Sequence, residues 1–141
     1  MSQISLNQRF FDACAQGNVS VVTTLLSQTG VNVNHVINNS SPLSIAITNN
    51  QQEIVTELLN HHDVDINKKV SDDGQTALHV ACDQNNTAAI EAICLHPLVN
   101  VNEKTNAGDT PLMLAIIGGH VEAVRKLVSN DQVNLEDLDY R

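Results

Sequence analysis

The sequence repeats itself at a period near 34 residues, and no other feature narrows the choice of fold as far. Three strings align: Ser41-Pro-Leu-Ser-Ile-Ala46, Thr76-Ala-Leu-His-Val-Ala81 and Thr110-Pro-Leu-Met-Leu-Ala115. A second series keeps the same register: Val31-Asn-Val-Asn34, Val64-Asp-Ile-Asn67, Val99-Asn-Val-Asn102 and Val133-Asn-Leu-Glu136. A third is Gly17, Asn50, Asn85 and Gly119, whose steps are 33, 35 and 34 residues. Self-similarity at such a period marks an array of stacked units, each too small to bury its apolar face alone.

Each unit reads as helix, tight turn, helix and extended finger. In the last one, Thr110 is placed to cap a helix and Pro111 to occupy its first position, where a missing N–H costs nothing. Leu112, Ala115 and Ile116 form one apolar stripe, and Gly118-Gly119 break the helix. Val121, Val124, Leu127 and Val128 supply a second stripe. Its counterparts are Val19, Val22, Leu25 and Leu26; Ile54, Val55, Leu58 and Leu59; and Ala89, Ile90, Ile93 and Cys94. Only Gly or Asn stands at the interhelix turn, which predicts a left-handed residue there. Asn39, Gly74 and Gly108 predict the same two residues before each cap, at the finger tip.

Composition removes several function classes. The chain has 141 residues, 42% hydrophobic, with two Phe, one Tyr and no Trp, so its core is aliphatic. Sixteen acidic against seven basic residues give −9, which disfavours nucleic acid and anionic lipid as partners. No stretch approaches the roughly 20 apolar residues of a membrane span, and the N-terminus has no apolar signal core. Cys14, Cys82 and Cys94 are odd in number, with no CxxC, so neither a disulfide framework nor a zinc site is expected. A reducing compartment, cytoplasmic or nuclear, follows from the same facts, and the sequons at Asn18, Asn38, Asn39 and Asn85 are then unglycosylated.

The period, the Thr-Ala-Leu-His79 and Thr-Pro-Leu-Met113 strings and the Val-Asn fingers resemble ankyrin repeats. The resemblance implies an all-α repeat solenoid of about four repeats with short hairpin fingers. It gives one domain over residues 1–141: a degenerate N-terminal capping repeat at 6–34, full repeats at 35–67, 68–102 and 103–136, and the start of another at 137–141. In the first unit Gln8 takes the place of the capping Thr. The family histidine stands only at His79; Ser44 and Met113 replace it. The loops before the fingers, such as His61-His62-Asp63, run about two residues longer than the commonest family form. The sequence stops in mid-finger, which reads as a fragment with further repeats following.

No catalytic constellation is present: no GxSxG, no HExxH and no Gly-rich phosphate loop with Lys. No catalytic residue, cofactor or metal is expected. His61-His62-Asp63-Val-Asp65 has ligand chemistry, but imidazoles near a helix C-terminus and aspartates that begin a finger explain it better. Cys14 and Cys82 share a position with Ile47 and Ile116, and act as small hydrophobes.

Surface is what remains. In ankyrin arrays the concave face, made of finger tips and exposed first-helix positions, binds partners. Carried over by register, it comprises Asn38, Ser40, Thr48 and Asn49; Asp72, Asp73, Gln75, Asp83 and Gln84; and Asn106, Ala107, Asp109 and Ile117. Such a face suits a monomeric scaffold or adaptor that takes a protein or peptide with basic or polar side chains. The rival readings are a targeting module of a longer enzyme, substrate adaptor or microbial effector, and a structural spacer. Finally, Asn34, Asn67 and Asn102 resemble substrates of an asparaginyl hydroxylase, which uses Fe(II) and 2-oxoglutarate. The stronger reading has these side chains closing the finger's own hydrogen bonds.

Overall fold

The computed structural model describes residues 5–135. The residue Glu136 and the segment 137–141, where a further repeat was expected to start, lie outside the described residues. Eight helices occur among them, in four pairs: α1 (Leu6–Gln16) and α2 (Val19–Leu26), α3 (Pro42–Thr48) and α4 (Gln52–Leu59), α5 (Ala77–Asp83) and α6 (Thr87–Cys94), α7 (Pro111–Ile117) and α8 (Val121–Val128).

The boundaries follow from local chemistry. Ser41 and Thr110 cap α3 and α7 with their hydroxyls, and Pro42 and Pro111 open the helices. Thr76 precedes α5 in extended conformation, and its N–H donates to His79 Nδ1 at 3.0 Å. Each pair is broken at the expected residue, with φ of +78° at Gly17, +59° at Asn50, +55° at Asn85 and +70° at Gly119. The first helix departs from the register. It begins at Leu6 behind Ser5, whose hydroxyl accepts from the Gln8 N–H, so Gln8 is inside the helix and not its cap. At 11 residues, α1 is four longer than α3, α5 and α7.

The first helices pack in one row, α1 on α3 on α5 on α7, and the second helices in another, α2 on α4 on α6 on α8. A single, largely aliphatic core runs through both rows, with Ile47, Ile54, Leu58, Leu78, Ile90, Ile93 and Leu127 fully buried beside one aromatic ring, Phe10. Because each row touches only its neighbours, burial fades at the α7–α8 end. Ile116 is 47% exposed where its equivalents Ile47 and Cys82 are fully buried.

The fingers are hairpin turns whose ladders are reduced to a bond or two. Ile37 and Ser40 exchange two backbone hydrogen bonds around Asn38 and Asn39, both at positive φ, as a type I′ turn requires. The next two fingers are wider, closed by Val70 N–H to Gln75 O (2.8 Å) and Thr105 N–H to Asp109 O (2.9 Å). Gly74 there has φ of +83°, and a side chain would strike Asn106 Oδ1 at 2.6 Å, so only glycine lets the next finger approach.

Candidate functional site

The face expected from the register is assembled from finger tips and the ends of first helices. Asn38, Thr48, Asn49, Asp72, Asp73, Asp83, Gln84, Asn106, Ala107 and Ile117 are exposed, while Ser40, Gln75 and Asp109 are half-buried. The structure joins several of them in pairs. Asn106 donates through Nδ2 to the Asp72 carbonyl (3.0 Å) and through its backbone N–H to the Asp73 carbonyl (2.8 Å), tying two fingers together. Gln84 Nε2 donates to Thr48 Oγ1 at 3.1 Å, linking α5 to α3. Asn49 Nδ2 donates to the Ala15 carbonyl at 2.8 Å, linking the end of α3 to α1.

The middle finger tip is held rigid. The Ser71 hydroxyl and the Gln75 Nε2 amide both donate to the Asp73 carboxylate, which holds its pKa below the ordinary value. The Asp72 carboxylate projects beside it and is exposed. His79 supports the finger behind it. It is fully buried, takes the Thr76 N–H on Nδ1, and so carries its proton on Nε2, which donates to the Asp109 carbonyl at 2.9 Å. Burial lowers its pKa. His120, after the turn that follows α7, donates from Nε2 to the carbonyl of Asp83 at the end of α5 at 2.8 Å.

The side chains of Asn34, Asn67 and Asn102 bond to the next finger, while their backbone N–H groups donate within their own, to Asn32, Asp65 and Asn100 Oδ1. Asn34 donates to the Asp63 carbonyl (2.9 Å) and accepts from the Asp65 N–H (2.8 Å). Asn67 does the same with Leu98 O (2.8 Å) and Asn100 N–H (2.7 Å), and Asn102 with Gln132 O and Asn134 N–H. The sequence reading missed Asn7. From α1, its Oδ1 accepts from the Asn32 N–H at 2.7 Å, the bond a preceding finger would otherwise supply. Asn32 stands in register with Asp65, Asn100 and Asn134, so the unmatched amide was a detectable signal.

This ladder gives a direct test. Asn67→Ala is expected to cost about 1–2 kcal/mol, because two backbone groups of the next finger lose their partners. Hydrogen exchange should show faster opening at the Asn100 amide, with α1 and α2 little changed.

The thiols match their core positions. Cys14 and Cys82 are fully buried and Cys94 is half-buried. Burial raises the pKa of Cys14 to about 12 and of Cys94 to about 11, and raises Cys82 further. A thiol that does not ionise near neutral pH is a poor nucleophile. No helix among the described residues is long and apolar enough to cross a membrane.

The family model for ankyrin repeats (3 copies) matches residues 10–70 and 62–139. The chain therefore belongs to the ankyrin repeat family, a non-catalytic fold that serves as a generic protein–protein interaction module. Among curated proteins it is similar to an ankyrin repeat protein of fowlpox virus (strain NVSL). The two are 30% identical over 140 residues, covering 96% of this chain and 40% of that protein. Shorter matches, each 38% identical, link it to the nuclear factor NF-kappa-B p110 subunit of Drosophila melanogaster and the E3 ubiquitin-protein ligase KEG of Arabidopsis thaliana. They span 45% and 40% of this chain, and 6% and 3% of those proteins. The chain thus spans well under half the length of each of these relatives.

Proposed function

We propose that the chain is a non-enzymatic scaffold that binds a partner protein or peptide across the concave face, with basic or polar partner side chains meeting Asp72, Asp73 and Asp83. It acts as a monomer in the cytoplasm or nucleus, as one domain of repeats at 6–34, 35–67, 68–102 and 103–136. It needs no cofactor and neither binds nucleic acid nor enters a membrane. The observation that carries this reading is the middle finger tip, where Ser71 and Gln75 hold the Asp73 carboxylate in place. A preordered acidic group loses little freedom on binding, and it steers a cationic partner. Ile117, 71% exposed, adds an apolar contact at one end of the face.

The test compares this chain with Asp72→Lys/Asp73→Lys/Asp83→Lys as paired baits, both checked for fold by circular dichroism. A partner held by the first and lost by the second, with affinity that falls steeply with salt, supports the reading. An unchanged partner set overturns it.

A second reading, of a module within a longer array or multidomain protein, is favoured by the α7–α8 end. There Ile116 and Val128 lie exposed at positions that are buried in the middle repeats at Ile47 and Leu59. Asn34, Asn67 and Asn102 remain candidate hydroxylation positions in a host that has the enzyme. Their amides are already held between fingers, so an added hydroxyl would sit on an ordered side chain.

A further inference from the structure

We infer that the turn following α4 is a transition-metal site, with His61, His62 and Asp63 as its protein ligands and a borderline divalent ion such as Zn2+ as its occupant. The site lies on the second-helix side, away from the acidic finger tips, and is independent of the partner-binding reading. One ligand atom from each of the three residues lies within 4.8 Å of the others. His62 Nε2 and Asp63 Oδ2 are 3.5 Å apart. Two ligands bound tetrahedrally at about 2.0–2.2 Å from zinc lie roughly 3.4 Å from each other, so this pair already spans one edge of a coordination shell. The rings of His61 and His62 stack with centroids 4.6 Å apart, so both imidazoles lie on the same side of the turn, and this stack opens when both ligate one ion.

The backbone of the turn is fixed before any ion arrives. His61 N–H donates to the Leu58 carbonyl (3.1 Å) and Val64 N–H to the His61 carbonyl (3.2 Å). The Asp63 carbonyl is held by Asn34 of the previous finger at 2.9 Å. His62 and Asp63 are exposed, so their side chains have room to rotate toward an ion. His61 Nδ1 accepts from the Asp63 N–H at 3.1 Å. Ligation there exchanges that hydrogen bond for a metal bond and turns the Asp63 amide to water.

Two imidazoles and one carboxylate select zinc, copper or nickel over magnesium and calcium, which prefer all-oxygen shells. Three protein ligands leave a coordination position open. A cavity of about 520 Å3 adjoins the turn, lined by His61 and His62 and by Leu95, His96 and Leu98 of the next repeat. An ion held here is reachable from solvent.

Isothermal titration of the intact chain with zinc chloride at pH 7.5 tests the site. One ion per chain is expected, with affinity weakened about tenfold or more in His62→Ala and in Asp63→Asn. Magnesium chloride should give no heat of binding. His96→Ala, in the same cavity but outside the trio, should bind as the parent does, and the Asp63 amide resonance should shift on titration. Absence of saturable zinc binding overturns the inference. So does equal affinity in the parent and both ligand variants, or a loss in His96→Ala as large as theirs. Circular dichroism confirms that each variant is folded, and if His62→Ala is not, Asp63→Asn alone decides.

Discussion

Leu78→Ala is expected to cost about 2–5 kcal/mol of folding stability, read from denaturant or thermal unfolding, because it leaves a cavity between stacked first helices. Leu78 is buried in α5, whose row is flanked by α3 and α7, and its register equivalents Leu43 and Leu112 are buried too. The site has neighbours on both sides and cannot collapse without moving a helix. Gln75→Ala is the matched control. It removes one exposed hydrogen bond to Asp73 and should cost under about 1 kcal/mol. Equal losses in the two variants would show that Leu78 is not in the core.

The second large effect centres on His79. His79→Ala is expected to cost about 2–4 kcal/mol at pH 7.5, since a buried side chain is lost, the Thr76 N–H is left without its partner, and the Asp109 carbonyl keeps only its bond from the Thr105 N–H. His79→Met should cost markedly less. Met113, at the same position of the next repeat, has its sulfur 3.4 Å from the Thr110 N–H and fills the space. The two variants also separate in their response to acid. Burial lowers the His79 pKa in the folded chain, so the folded state resists protonation while the unfolded state takes up a proton near pH 6.5. The unfolded state therefore binds more protons, and stability is full above pH 6.5 and falls as the pH drops below it. Below pH 6.5 this group makes stability fall as the pH drops, and this slope ends once the lowered folded-state pKa is passed. His79→Met should flatten that slope in chemical denaturation at stepped pH. A slope unchanged by the substitution would show that His79 is not held neutral by its burial.

Much of this fold was readable from the chain. Gly17, Asn50, Asn85 and Gly119 announced four left-handed turns because only residues that tolerate positive φ stand there. Ser41 and Thr110 announced caps because a hydroxyl followed by Pro has few other uses. The start of α1 was not readable by register. Counting back 33 residues from Ser41 lands on Gln8, and nothing in a repeat pattern shows that the first helix has gained a turn behind Ser5.

The exposed face was legible as exposure, since register fixes which side of a helix a residue occupies. Its bonds were not. Asn49 reaches back 34 residues, Gln84 36 and Asn67 forward 31, because partners are set by how one unit rotates and shifts on the next. That rotation is a property of packing, and a one-dimensional register does not contain it. The ligand chemistry of the His61-His62-Asp63 string was legible, but its ring stacking was not, since that depends on how the turn leaves α4.

The finger ladder bears on how such a chain changes length over generations. Each link needs only an asparagine at one finger base and a backbone amide in the next, a requirement that the first three units meet in the same way. Asn7 meets half of it from a helix. Copying or deleting one whole unit therefore leaves every remaining joint with compatible chemistry on both sides, and no neighbour has to be rewritten. Gain or loss of part of a unit has no such freedom, since it displaces an asparagine from the amide it serves.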